Sequence, residues 1–411
     1  MFFVLQAQNT SIDKDLVSIE KKVIEWRRHF HQNPELSNRE FNTAKKIADH
    51  LQSLGIEVQT GVAKTGVVGI LKGKRPGKVV ALRADMDALP VTERVDIPFK
   101  STVRTTYEGV ETGVMHACGH DTHVAILMGA AEVLSKNNDF AGTVKFIFQP
   151  AEEGPPMGEE GGAELMVKEG VLKNPNVDAI FGLHIGSYLE VGKLMYKPGG
   201  SLAAAQRFDI KVKGKQAHGS SPWSGTDPIV VSAKIIDGLQ TIISREMELT
   251  NEAAVITVGK IVGGTRNNII PELVEMSGTI RTLDYEMQKI LNKRMMEMVP
   301  AIAKAYNAEA DIVIQAGLPI TYNDLKLTEA YLPTLQKVAG AENVLLHKAI
   351  TGAEDFSFFQ KEVPGFYFFL GGKPNDKEAT GHHTPDFYID ESGMLLGVKT
   401  FTQLVFDYLG Q

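Results

Sequence analysis

Strand-like and helix-like runs alternate along this chain, and near the middle their order changes. Val79 to Arg83 reads as a buried strand, Asp121 to Ser135 as a helix, Thr143 to Phe148 as a strand, Gly162 to Glu169 as a helix, and Asp178 to His184 as another strand. Ahead of them, Leu16, Ile19, Val23, Trp26 and Phe30 are spaced 3-4-3-4, the mark of one helical face ended by Asn33-Pro34. A second helix puts Phe41, Ala44, Ala48 and Leu51 on one side and stops at Gly55. This is α/β patterning around a mostly parallel sheet. The middle follows another rhythm: a strand at Gln206 to Val212, a helix at Asp227 to Ile243, strands at Ala254 to Ile261 and Leu273 to Thr282, a helix at Tyr285 to Tyr306 and a strand at Ala310 to Gln315. That order, βαββαβ, is the ferredoxin-like arrangement. Gly199-Gly200 and Gly317-Leu318-Pro319 bracket it as hinge segments. After Pro319 the α/β pattern returns, with a further strand at Gly365 to Leu370. The expectation is a two-domain α/β chain: a larger domain built from 1–198 and 318–411, and a ferredoxin-like domain, 199–317, inserted into it. A chain of 411 residues exceeds what single cores usually support, which agrees.

The formal net charge of -7, with no run of five or more Lys and Arg, argues against a nucleic-acid partner. No apolar run approaches the roughly 20 residues that span a bilayer. Hydrophobic residues at 43% and charged residues at 23% are ordinary for a globular protein, so small molecules or other proteins are the expected partners. The single cysteine, Cys118, rules out an intrachain disulfide. Met1 to Gln8 resembles the tail of an export signal but lacks a charged start and a full apolar core, which leaves cytoplasm and periplasm both open.

The densest polar segment is Met115-His116-Ala117-Cys118-Gly119-His120-Asp121-Thr122-His123. Three histidines and the one cysteine just ahead of a helix suggest metal ligation, because a thiolate and an imidazole two apart in a Gly-containing loop can face one ion. A helix N-terminus also favours the thiolate. The bland alternative is a satisfied polar loop, and Asp121 reads as a helix cap. Glu152-Glu153 follow a strand, where α/β sheets place ligands, and adjacent carboxylates point different ways; one can bind metal while the other receives a proton. The alternative is an acidic loop, which is how Glu159-Glu160 read. His184 ends a buried strand, and His382-His383 sit in a loop after the last strand, where binding residues concentrate. Each is weak alone, and the joint pattern is stronger.

These residues carry a family resemblance. The chain resembles the hippurate hydrolase and indole-acetyl-amino-acid hydrolase branch of the aminoacylase/carboxypeptidase metallopeptidase superfamily, over nearly its whole length. The matching stretches are Arg27 to Ser37, Ala81 to Pro90, His116 to Asp121, Gln149 to Glu153, Gly182-Leu183-His184 and Thr351 to Phe356. The resemblance implies a metallopeptidase catalytic domain holding two divalent ions on Cys118, His120, Glu153, His184 and His383, with Glu152 as general base and Cys118 as the shared ligand. His383 matches because it directly precedes Thr-Pro. Asp85 and Asp87 match the positions of the superfamily's His-x-Asp pair, which binds and orients one metal; the plainer reading of both is a polar strand end, and here they are candidates for orienting ligands only. His218 in Gly214 to Ser220, and Asn268 in Asn267 to Pro271, resemble the family's substrate-binding loops; Arg281 could pair with a substrate carboxylate or be a surface arginine. The resemblance also implies a homodimer through the inserted domain, with His218 reaching the partner's substrate. Two places depart from the family: Gly154 to Gly161 is longer than the usual glycine-rich link, and Gly186-Ser187-Tyr188-Leu189-Glu190 replaces the usual prolines.

Two ions sharing a ligand can activate water and polarise a carbonyl, with Glu152 relaying the proton and His218 facing the oxyanion. The implied reaction cleaves an N-acyl-amino acid (acetyl, benzoyl or aryl-acyl) to a carboxylic acid and a free amino acid. A mixed Cys/His/carboxylate set admits zinc, manganese, cobalt or nickel. A dipeptidase or carboxypeptidase would use the same site, and a binding protein without activity would lack a ligand or base. Zinc deaminase chemistry would need further cysteines.

Overall fold

The computed structural model describes the backbone of residues 2–410 and the side chains of 12–410. The leader-like opening, Met1 to Gln8, lies outside the residues whose side chains are described. The chain divides into two compact units, one formed by 1–199, 322–347 and 358–411, the other by 200–321 and 348–357.

The larger unit is built on eight strands: β1 (Glu57–Val62), β2 (Gly66–Lys72), β3 (Arg75–Asp85), β4 (Ala141–Gln149), β5 (Ala179–Glu190), β6 (Leu194–Tyr196), β7 (Val344–Leu346) and β8 (Gly365–Lys373). Their order across the sheet is β1-β2-β4-β3-β5-β8-β6-β7. Neighbours in the central set β4, β3, β5 and β8 run parallel, as do β6 and β7. β1–β2, β2–β4 and β8–β6 are antiparallel. Eight of the nine residues of β8 are buried, as a strand covered on both faces requires.

Three helices supply much of that cover: α1 (Phe2–Gln32), α3 (His120–Lys136) and the C-terminal Met394–Leu409 pack on one another. On α1, Leu16, Ile19, Val23 and Phe30 are all buried, the face the spacing predicts. α2 (Phe41–Ser53) buries Ile47, Ala48 and Leu51 and leaves its first residue, Phe41, exposed. Every residue of α3 from His120 to Leu134 is buried, so this helix is enclosed on all sides. Gly129 permits the enclosure, because a Cβ there would stand 2.7 Å from a Val23 methyl.

The smaller unit is a four-stranded antiparallel sheet in the order Ala254–Gly263, Leu273–Thr282, Ala204–Lys213, Glu309–Leu318. Helices Pro228–Thr241 and Tyr285–Ala305 complete the βαββαβ order. Alternation along Ala204–Lys213 turns Phe208, Ile210 and Val212 inward, where they meet Leu291, Met295 and Val299 of the second helix. Asp227 and Asp284 cap the two helices by accepting backbone N–H groups. The first helix stops at Thr241, short of the predicted Ile243, because the chain continues as a π-helical turn over Ile242–Glu246.

Candidate metal centre

Parallel strands bring their carboxyl ends to one edge, and register keeps them level: Asp85 stands opposite Gln149, Arg83 opposite Gly182, and His184 opposite Phe369. Asp85 to Asp87 follow β3, Glu152-Glu153 follow β4, and His382-His383 lie beyond β8. The sequence reads His184 as a strand end, but β5 runs on to Glu190 because β8 continues to pair with it after its pairing with β3 has ended at Arg83 opposite Gly182. His184 thus lies just past the end of the β3 ladder.

The ligand-type atoms converge there. Cys118 Sγ lies 3.2 Å from His383 Nε2 and 3.4 Å from His184 Nε2. Glu153 Oε1 is 3.0 Å from His383 Nε2 and 3.9 Å from His120 Nε2, and Glu152 Oε2 is also 3.9 Å from His120 Nε2. Cys118, Glu153 and His383 form one possible ion-holding group, and His120, Glu152 and Glu153 form another.

Hydrogen bonds on the far side of each ring fix which nitrogen faces inward. His120 Nδ1–H donates to Asp87 Oδ1 at 3.1 Å, so in the neutral ring Nε2 carries the lone pair. That Nε2 is buried and has no hydrogen-bond partner among the described residues. Asp87 is itself held by the Ser37 hydroxyl at 2.7 Å and the Glu153 backbone N–H at 3.1 Å. His184 Nδ1–H donates to the Ile185 carbonyl at 2.8 Å, which frees its Nε2 toward Cys118. His382 differs from His383: its Nε2 accepts the Ser187 N–H at 3.2 Å, so its Nδ1–H, 3.6 Å from Cys118 Sγ, is a donor to the sulfur. A proline at 187 could not supply that N–H. His123 uses both nitrogens, donating to Asp85 and accepting the Ile185 N–H at 2.8 Å. The group Asp85, His120 and His123 is therefore a hydrogen-bonded support, in which Arg83 also holds Asp85.

Charge follows this geometry. Burial opposes a proton on His120, but Asp85 and Asp87 outweigh it and raise the imidazole to about 10. The Glu153 carboxylate raises His383. Burial lowers His184 well below the ordinary range and His382 to about 4, which keeps both neutral. Burial, then Glu153 and Glu152, push the Cys118 thiol well up. These shifts all favour bound protons where negative charge is crowded, and a divalent cation held by the same atoms would release such protons as it binds. The orphaned His120 Nε2 and the thiol, imidazole and carboxylate donors around it fit divalent metal.

Two residues that aim the ligands have left-handed backbones: Ala151, φ 53°, ahead of Glu152, and His383, φ 60°. Such conformations are costly for residues with a Cβ and persist where neighbours hold them. The Ala151 N–H donates to Glu40 Oε1 at 2.9 Å, and the His383 N–H to the Ala117 carbonyl at 2.8 Å. Glu40, whose other oxygen accepts the Thr65 hydroxyl at 2.6 Å, was not singled out by the sequence reading. Burial and then Asp87 raise its carboxyl to about 7. Its one sequence signal is an acid inside the Arg27 to Phe41 stretch, with nothing local to pair it.

Two readings are corrected. Asp121 does not cap α3; its carboxylate meets Arg27 Nε at 2.8 Å and His31 Nδ1 at 2.9 Å inside the core. Glu159 is not an idle loop acid, since Arg39, Lys64 and Asn38 all bond to it. His116 is fully buried and lowered to about 4 by burial, and it lies outside the possible ion-holding groups. In the smaller unit His218 is exposed opposite Ile269, and Asn268 adjoins it through the Gly219 N–H at 2.9 Å. Arg281 stands on the strand Leu273–Thr282, between Ala205 and Val255.

The pattern describing peptidase family M20/M25/M40 matches residues 81–407. Thermostable carboxypeptidase 2 of Saccharolobus solfataricus is 40% identical, with 97% of this chain and 98% of that protein covered. N-acetyl-L-cysteine deacetylase of Bacillus subtilis is 36% identical over 95% of this chain and 89% of that protein. The Bacillus subtilis YXEP protein, described as a dinuclear metal-binding peptidase of the M20 family, is 35% identical, with a TM-score of 0.79 and 96% and 99% of the two chains covered. The chain therefore belongs to peptidase family M20/M25/M40, and it is a metal-dependent hydrolase of amide bonds.

Proposed function

We propose that the chain hydrolyses N-acyl-amino acids, releasing a carboxylic acid and a free amino acid, with two divalent ions held by Cys118, His120, Glu153, His184 and His383. The observation that carries this reading is the buried, unpartnered Nε2 of His120 facing Glu152 and Glu153 beside the Cys118, His184 and His383 group. When bound, the ions would polarise the scissile carbonyl and activate water. Glu152 takes the proton of the attacking water on a carboxylate oxygen and returns it to the leaving nitrogen as the C–N bond breaks. That relay is worth roughly 10² to 10⁴ in rate. With the ions bound, Asp87 would hold the His120 proton on Nδ1 and leave Nε2 to the metal, and the His382 N–H would steady the sulfur of Cys118 as a thiolate.

His218, Asn268 and Arg281 are the substrate-binding candidates, and in this reading His218 donates to the carbonyl oxygen in the partner subunit of a homodimer formed through the smaller unit. The similarity to the deacetylase supports acyl-amino acids; the 40% identity to a carboxypeptidase supports a second reading, cleavage of short peptides. A panel of N-acetyl-, N-benzoyl- and dipeptide substrates, run on protein reconstituted in turn with zinc, manganese, cobalt and nickel, separates them. Cleavage confined to dipeptides would overturn the first reading.

A further inference from the structure

The stretch Gly186-Ser187-Tyr188, where the family's usual prolines are absent, follows His184 within β5. It is held to the ligand loop: the Ser187 N–H donates to His382 Nε2 at 3.2 Å, and the Ser187 hydroxyl to the Thr380 carbonyl at 2.5 Å. Tyr188 then packs its ring against Phe369 and His382, with centroids 6.5 and 6.1 Å away. His184 packs against the same two rings, at 6.2 and 5.3 Å, so Tyr188 and this candidate ligand share two neighbours and one side of the strand. Gly186 shows which way the phenol lies. A Cβ built there would stand 3.3 Å from Tyr188 Cζ, the carbon that carries the hydroxyl. The hydroxyl end is therefore folded back over Gly186, on the His184 side of Tyr188.

Tyr188 is 45% exposed, and its hydroxyl makes no hydrogen bond among the described residues, so the O–H is open to solvent and to substrate. Burial of the ring and then the Cys118 sulfur raise the phenol to about 12, as expected of a group beside the metal centre that keeps its proton. Its ring neighbours bring no cation: His382 accepts at Nε2 and donates at Nδ1, and Phe369 is apolar. A neutral O–H with no cation beside it is poorly suited to holding a carboxylate that is charged from the outset. It contributes most where negative charge develops during the reaction. Amide hydrolysis develops that charge on the scissile carbonyl oxygen as water adds to the carbonyl carbon. We propose that the Tyr188 hydroxyl is a catalytic hydrogen-bond donor to this oxygen, supplied by the same chain as the metal ligands and acting alongside His218 of the partner subunit. Tyr188 keeps its proton throughout, so no bond to it forms or breaks, and the proton relay stays with Glu152. This role rests on the amide-hydrolysis reading above and adds a residue from the stretch where the chain departs from its family.

The test compares Tyr188→Phe, which removes only the hydroxyl, with Tyr188→Leu, which also removes the ring, in the metal-reconstituted full chain. Tyr188→Phe should lower kcat by about 10- to 100-fold, leave KM within about threefold and account for most of the loss in Tyr188→Leu. A ring that merely packs on His382 would give the other order, with Tyr188→Phe near wild type and only Tyr188→Leu impaired. A kcat within about twofold of wild type in folded Tyr188→Phe overturns the proposal, whether or not KM rises. Metal affinity by chelator competition should be unchanged in Tyr188→Phe, and its loss would make Tyr188 a support of the ligands instead. Calorimetry supplies a readout without turnover. A phosphonamidate analogue of an N-acyl-amino acid, with negative oxygen on a tetrahedral centre, should bind loaded Tyr188→Phe at least about tenfold more weakly than loaded wild type. Equal binding by both overturns the donor. If the wild type cleaves no N-acyl-amino acid, the substrate reading falls, while a phosphinate dipeptide analogue in the same calorimetric comparison still judges Tyr188.

Discussion

Asp87→Asn isolates the support of the metal centre with little change in shape. The Asp87 carboxylate accepts three bonds, from the Ser37 hydroxyl, the Glu153 N–H and His120 Nδ1, at 2.7, 3.1 and 3.1 Å. Asparagine must present an amide NH₂ to one side of that set. Facing Oδ2's partners, it meets the Ser37 hydroxyl, which can rotate to accept, and the Glu153 N–H, which cannot; an unpaired buried donor costs about 1–3 kcal/mol. Facing His120, it drives the imidazole proton to Nε2 and fills the lone pair that would bind metal. Either arrangement should weaken metal binding by about 1.4–2.8 kcal/mol, or 10–100-fold. The assay is competition with a chromophoric chelator, with circular dichroism to verify the fold. Ser37→Ala, which removes only the rotatable donor, should cost less than about fivefold. Metal affinity within about twofold of wild type in folded Asp87→Asn would refute the role given to Asp87.

Glu152→Gln should keep its metal while turnover falls at least about a hundredfold, whereas Glu153→Gln should lose metal; the reverse pattern in metal analysis would exchange their roles. Cys118 should alkylate more slowly in loaded protein than after chelation, and equal rates would remove it from the site. His218→Ala mixed with Glu152→Gln under conditions of subunit exchange should recover about a quarter of wild-type activity, and no recovery despite verified exchange would confine His218 to its own chain or exclude it from catalysis. Burial and Arg27 oppose a proton on His31, but Asp121 and Glu93 outweigh them and raise its pKa. Its contribution to stability is therefore complete below the unfolded value of about 6.5 and lost as pH rises through the raised folded value. The thermal advantage of wild type over His31→Gln should be largest near pH 6 and shrink toward alkaline pH; an advantage that grows would reverse the sign.

Local pattern carried much of the fold. The helices over Leu16 to Phe30 and Asp121 to Ser135, and the central strands, repeat their apolar residues at periods that one segment can display alone. The hairpin of Arg104–Tyr107 with Val110–Gly113 escaped notice because neither strand is long or apolar enough to signal itself. The candidate ligands were legible because each falls beside a strand end or a helix start. Choices that depend on distant partners were not. Asp121 reads as a cap until His31, 90 positions earlier, is seen on its carboxylate. His382 and His383 look alike until the Ser187 N–H meets one ring and not the other. Glu40 and Glu159 are ordinary surface-type acids in the sequence, and only tertiary packing gives them loops to hold.

The position of β8 has a consequence for synthesis. It lies between β5 and β6 in the sheet, yet it is translated after both and after the whole of the smaller unit. A nascent chain therefore carries β5 with the edge meant for β8 unpaired while residues 191–364 are made, roughly 10–35 s at about 5–20 residues per second. An open, apolar strand edge is a template for wrong pairing. Cys118 and His383, 265 positions apart, meet only after that gap closes. With the ligand set proposed above, metal capture would be a late event in biogenesis, and a chain truncated before β8 would keep Cys118, His120, Glu153 and His184 but lack His383 to complete the set.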